Sequence, residues 1–184
     1  AMPLSLVGSE MCIRDRGGYV AQMVAHFAPE KVIGMGLFST SGRADTPEKK
    51  QQREALIELS KLGKFKGVTP RLLPSLLSAE ALKNEALVQD VMDMAAQVGQ
   101  TNFTLQQEAI IGRPDFRPFA STAKMPVEIL VGALDQITPP VLAEELHSLF
   151  QDSHLTVLSG IGHLSSMEAA DYVTSIIKKL ISRV

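Results

Sequence analysis

Apolar positions along this chain follow two periods, and the changes from one to the other mark its elements. Val20, Met23, Val24 and Phe27 stand at i, i+3, i+4 and i+7, which predicts a helix over residues 17–29 with that stripe buried. Gly17-Gly18 at its start lets another backbone come close, and Pro29 ends it. Residues 31–38, rich in Val, Ile and Leu, read as a buried strand. A helix packed between parallel strands is the expected connection.

Residues 39–45 are polar with a glycine and read as a loop. Thr46-Pro47 then places an N-cap before a proline at the first helical position, starting a polar helix that carries Leu56, Ile57 and Leu59 to about Leu62. Residues 63–67 break it. Thr69-Pro70 opens a short helix, Ser78 caps the next, and residues 87–98 form a Met-rich amphipathic helix with Val91, Met94, Ala95 and Val98 on one side. Residues 103–111 are a further helical run. Nothing from 46 to 111 reads as a strand, so an all-helical insertion interrupts an α/β pattern. Its methionines read as flexible core or pocket lining.

Residues 127–131 are the next buried strand. Thr138-Pro139 caps a helix over 140–150 with Leu142, Ala143, Leu146, Leu149 and Phe150 inward. Residues 155–158 are the last strand. The final helix opens with a Ser165 to Glu168 capping box and buries Val173, Ile176, Ile177 and Leu180. Helices between consecutive strands give part of a parallel sheet covered by helices, without repeats.

Composition narrows the functions. The 184 residues carry a net charge of −2 and are 45% hydrophobic, ordinary for a globular domain with a real core. Scattered charge without a basic block speaks against nucleic acid, and no apolar run approaches the roughly 18 residues of a membrane span. The single cysteine, Cys12, leaves no internal disulfide and no Cys-based zinc site. A reducing, cytoplasmic location is the default expectation, since residues 1–6 lack the charged start of a signal peptide. The sequence fixes no oligomeric state.

The candidate chemistry lies just past two strands. Asp135 follows the strand over 127–131, and His163 follows the strand over 155–158, 28 residues further on. One helix and one strand fill that interval and bring both loops to the same sheet edge, where open α/β sheets bind ligands. A carboxylate beside an imidazole is what a hydroxyl nucleophile requires. His26, His147 and His154 have no such partner in the sequence pattern and read as structural.

Residues 132–140, Gly-Ala-Leu-Asp-Gln-Ile-Thr-Pro-Pro, and 160–163, Gly-Ile-Gly-His, resemble the acid and histidine motifs of the α/β-hydrolase family, specifically its esterase and enol-lactonase-type members with a helical cap. The resemblance covers residues 17–184. It implies the C-terminal half of a hydrolase parallel sheet flanked by helices, with an all-helical cap insertion. The implied divisions are a partial core at 17–45, a cap at 46–111 and the rest of the core at 112–184. It also implies Asp135 as the acid, His163 as the base, a small ester or lactone as substrate, and neither cofactor nor metal.

The family's nucleophile lies in Gly-x-Ser-x-Gly before a helix that begins Gly-Gly. Gly17-Gly18 match that helix start, which puts Asp15 at the serine's position and Ile13 where the first glycine belongs. Ser9 follows Gly8 but is too far from the helix. Residues 6–15, Leu-Val-Gly-Ser-Glu-Met-Cys-Ile-Arg-Asp, resemble the translation of a transposon-type sequencing adapter over ten positions; the expectation is that residues 1–16 are not native and that the nucleophile and oxyanion donors are missing, leaving the chain inactive. Two alternatives stand beside it. Asp15 itself resembles the nucleophile of haloacid dehalogenases and epoxide hydrolases of this fold, or the chain is a non-catalytic remnant that binds small apolar ligands. Absent neighbouring strands would leave an apolar edge along residues 32–37.

Overall fold

The computed structural model describes residues 15–62, 65 and 67–184. The expectations for residues 1–14, Ser9, Cys12 and Ile13 among them, and for the break at residues 63, 64 and 66 lie outside those residues. Three strands, β1 (Met35–Phe38), β2 (Val127–Gly132) and β3 (Ser153–Leu158), form a parallel sheet in the order β1-β2-β3. The register sets Phe38 against Leu130 and Leu130 against Thr156.

All six residues of β2 are buried because helices cover both faces of the sheet. Val127, Ile129 and Val131 point to one face, where they pack with Ala25 of α1 (Asp15–Phe27) and with Ala143 and Leu146 of α6 (Pro140–Leu149). Leu130 points to the other, against Val173 and Ile176 of α8 (Ala170–Ile181). A fully buried leucine such as Leu146 contributes about 1.5–3 kcal/mol of hydrophobic stabilisation.

Among the described residues, 46–111 hold only helices and turns: α2 (Pro47–Lys61), α3 (Leu73–Leu76), a short 3-10 turn (Ala81–Lys83) and α4 (Glu85–Ile111). Thr46 Oγ1 caps α2 by accepting from the Lys49 N–H at 3.3 Å, and Ser78 Oγ accepts from Ala81 N–H at 3.1 Å. Gly99, at φ 70° and ψ 168°, breaks α4 between the two predicted helical runs. The helical layer has its own core of Val68, Leu73, Leu77, Val91 and Ala95, joined by Leu164 from the far side of the chain. Where the chain enters and leaves this layer, the buried Asp45 carboxylate meets Arg53 of α2 and, at 3.0 Å, Arg113. A short helix, α5 (Arg117–Ala120), leads back to the sheet.

Several sequence expectations need correction. The α1 stripe is turned outward: Val20, Met23, Val24 and Phe27 are exposed, while Gly18, Tyr19, Gln22 and Ala25 are buried. The helix lies so close to the residues after β1 that a Cβ on Gly18 would stand 2.4 Å from Thr40 Oγ1. Two of its four buried positions among the described residues, Gly18 and Ala25, are therefore small, and Gln22 enters by donating to the Gly18 and Ser41 carbonyls. The neighbour that Gly18 admits is thus a side chain rather than another backbone.

β1 is shorter than predicted, because Pro29–Lys31 closes a 3-10 turn first. On α2 only Ile57 is buried; Leu56 and Leu59 face outward. Thr69-Pro70 starts a turn, and α3 begins at Leu73. β3 begins at Ser153, earlier than predicted. The last helix is two, α7 (Ser165–Glu168) and α8, divided at Ala169, and Ile177 is exposed.

Candidate active site

β2 and β3 end side by side, and their following loops cross. Ala133 N–H donates to Leu158 O at 2.8 Å and Leu134 N–H to Ile161 O at 2.9 Å. The crossing is so tight that a Cβ on Gly132 would stand 2.1 Å from Gly162 O. The first glycine of the acid motif therefore makes room for the histidine motif. Gly160 takes φ 74°, the left-handed region that favours glycine, and turns the chain back over the sheet.

This brings together two of the three residues that the sequence singled out. His163 Nδ1 lies 2.9 Å from Asp135 Oδ2 and 3.0 Å from Oδ1, with both residues buried. Asp135 Oδ1 also accepts from Ile137 N–H at 2.9 Å and Thr138 N–H at 2.8 Å, and Oδ2 accepts from Thr138 Oγ1 at 2.8 Å. Burial opposes the charged carboxylate, but the His163 bond and charge and the Thr138 donors outweigh it, holding Asp135 below its ordinary pKa. A carboxylate only accepts, so it assigns the proton of the neutral ring to Nδ1 and leaves Nε2 as the basic nitrogen.

Asp15 is the first residue of α1; its side chain lies outside the described residues. Among those residues, no group of three or more His, Cys, Asp or Glu could hold a metal ion, and no helix is long and apolar enough to cross a membrane.

The sequence missed three features. Thr138 was expected to cap α6; the structure shows no side-chain cap there, and its hydroxyl serves Asp135 instead. Glu168 makes no capping box; its carboxylate reaches Gly162 and Ser78. His154 does have a carboxylate partner, Glu128, at 2.9 Å. That second pair sits at the opposite end of the strands. His154 is half exposed, and Lys179 and Arg183 also bind Glu128. Burial works against the Glu128 charge, yet the His154 and Arg183 bonds lower its pKa, so it is a neutralised structural cluster. His26 is exposed and makes edge contacts with Phe27 and Phe119. His147 Nδ1 lies 2.8 Å from Ser153 Oγ.

Ser39, after β1 on the same sheet edge as Asp135, takes φ 47°. Its hydroxyl is buried without a hydrogen-bond partner among the described residues.

A cavity of about 210 Å³ reaches two residues bonded to the pair: Ile137, whose N–H donates to Asp135, and Leu76, whose carbonyl accepts from His163 N–H. Asp135 and His163 themselves are not in its wall. Its wall is mostly apolar and includes Val68, Leu72, Ala95 and Phe103 from the helical layer, Leu76, and Ile137 from the Asp135 loop. A larger one, about 630 Å³, lies at the other end of the strands, around Val32, Met125 and Arg183. It has no contact with the pair.

No protein-family model matches the chain. The chain is 23% identical over 172 residues to a pimeloyl-[acyl-carrier protein] methyl ester esterase of Neisseria meningitidis, a match covering 91% of this chain and 67% of the relative. A thermophilic esterase from Thermogutta terrifontis superposes with a TM-score of 0.86 at 25% identity, over 91% of this chain and 62% of the other. An enol-lactonase from Burkholderia xenovorans gives a TM-score of 0.76 at 21% identity, over 91% and 63%. The chain thus spans about two thirds or slightly less of these relatives' lengths.

Proposed function

We propose, taking as premise the α/β-hydrolase fold that this chain carries, that it is the C-terminal part of a serine hydrolase of small carboxylic esters or lactones. Asp135 would orient His163, and His163 would act as general base and then as general acid toward the leaving group. The observation that carries this reading is the buried 2.9 Å contact between Asp135 Oδ2 and His163 Nδ1 at the strand ends. A serine hydroxyl attacks a carbonyl only when an imidazole takes its proton, and the imidazole needs a carboxylate to fix its tautomer and stabilise its charged form. Esterase and enol-lactonase relatives support the substrate class. The apolar cavity walled in part by Leu76 and Ile137, the residues bonded to His163 and Asp135, suits the hydrocarbon part of a small ester.

On this reading residues 46–111 are the cap, 17–45 and 112–184 are core, and 1–16 are not native. Asp15 holds the nucleophile's position, and the chain alone turns over no ester. The start of α1 at Asp15 supports a second reading, a haloacid dehalogenase or epoxide hydrolase. In it the Asp15 carboxylate attacks carbon as the carbon–halogen bond breaks and halide leaves, or as the epoxide C–O bond opens and its oxygen takes a proton. His163 then activates the water that cleaves the resulting ester and frees Asp15.

One assay series separates these readings: the purified chain with a short p-nitrophenyl ester, and with fluoroacetate. The first predicts neither product. Ester turnover abolished by His163→Ala would overturn the inactivity of the chain. Fluoride release abolished by Asp15→Asn would establish the second reading. Stoichiometric binding of the ester without turnover, unaffected by Asp135→Asn, would favour a non-catalytic remnant.

A further inference from the structure

Glu168 is tied to the segment that carries His163 without touching the acid–base pair. Its Oε1 accepts from the Gly162 N–H at 3.0 Å, and its Oε2 accepts from the Ser78 N–H at 3.0 Å. Gly162 precedes His163, and Ser78 belongs to the turn after α3. One carboxylate therefore bridges the histidine loop and the helical layer. The same two segments meet again at Leu76, whose carbonyl accepts from His163 N–H at 3.0 Å and Leu164 N–H at 3.1 Å. A Cβ on Gly162 would stand 2.9 Å from both Leu77 C and Ser78 N, so the backbones are in direct contact. Leu164, the residue after His163, is buried with Val68, Leu73 and Leu77 in the core of the layer.

We infer that Glu168 is a positioning residue that clasps the turn at residues 76–78 to the histidine loop, so that the seating of the helical layer sets where His163 stands relative to Asp135. The inference rests on the proposed pairing of those two residues. Its physical basis is how the loop is supported. From the Asp135 side Ile161 O accepts from Leu134 N–H and the loop passes close to Gly132; from the other side the loop's own amides at 162, 163 and 164 all donate to Glu168 or Leu76. Bonds to an ionised acceptor are the stronger kind, and removing the acceptor leaves two donors without a partner. Because the His163 amide is itself bonded to Leu76, displacement of the turn carries the ring with it. A ligand that lifts residues 76–78 as it enters the adjoining cavity would therefore loosen the base, and a ligand that seats them would hold it.

The test uses the full chain, isotope-labelled, as Glu168→Ala and Glu168→Gln. Amide exchange is read at Gly162, His163, Leu164 and Ser78, and the imidazole Nδ1–H resonance of His163 is read in parallel. Glu168→Ala is expected to speed exchange at these amides by about tenfold or more and to broaden or abolish the Nδ1–H resonance, while β2 amides stay protected. Glu168→Gln keeps one acceptor and should fall between; it also serves where the alanine variant loosens the sheet. An unchanged Nδ1–H resonance beside faster Gly162 and Ser78 exchange would overturn the inference, reducing Glu168 to a backbone staple. Asp135→Asn separates the underlying reading: if it leaves the wild-type resonance intact, the pairing fails, whatever Glu168 does.

Discussion

Gly132 and Gly162 meet where the two loops cross: the ideal Cβ of Gly132 would stand 2.1 Å from the Gly162 carbonyl oxygen and 2.3 Å from that of Ile161. Both atoms are backbone and have nowhere soft to give. Gly132→Ala is therefore expected to destabilise the chain by about 1–3 kcal/mol and to shift the resonances of residues 160–163. Gly112→Ala, whose Cβ would make only ordinary contacts of 3.7 and 3.9 Å, should stay within about 0.5 kcal/mol. Denaturant midpoints compare the two. Equal effects would mean that the loops do not cross as tightly as described.

The reversed face of α1 gives a second contrast. Gln22 is fully buried and donates to two carbonyls, whereas Val24 is 47% exposed. Gln22→Ala is expected to cost about 1–3 kcal/mol. Val24→Ser should cost no more than about 0.5 kcal/mol, since the two residue types have similar helix propensities. Urea unfolding of both variants decides it. A larger loss at Val24 would restore the amphipathic stripe as the buried face.

The motifs that follow β2 and β3 were legible because their glycines answer to backbone geometry: Gly160 to a left-handed turn, Gly132 and Gly162 to close approach. The β2 run was legible because both faces are covered, and α6 because Ala143 and Leu146 repeat with the helix period. What stayed hidden depended on partners that a local capping or spacing signature does not name. Thr138 and Glu168 carry the local signature of helix caps, yet their oxygens found Asp135 and the Gly162 and Ser78 amides instead. No spacing rule links Glu128 to His154, since parallel register alone sets them opposite each other. On α1 the apolar stripe read as the buried face lies exposed, because the close approach of Gly18 to Thr40 sets which side faces the sheet.

Acid should act on the chain through Asp135. Its folded-state pKa is lowered, so its contribution to stability is fully present above the unfolded carboxyl value, about 3.9. That contribution is lost as pH falls below about 4 toward the folded value. Unfolding free energies measured from pH 6 down to pH 2 should fall in that window for the wild type. The fall should be shallower for Asp135→Asn. Superimposable profiles would show that the carboxylate is not held by His163 and Thr138.

The account turns on whether His163 is a base set by Asp135, and the imidazole ring of His163 in the labelled chain reports this directly. The predicted spectrum of the neutral ring has its proton on Nδ1, shifted downfield by the carboxylate, with Nε2 unprotonated, and Asp135→Asn removes that pattern. A neutral ring protonated on Nε2, or a ring spectrum that Asp135→Asn leaves unchanged, would contradict the account.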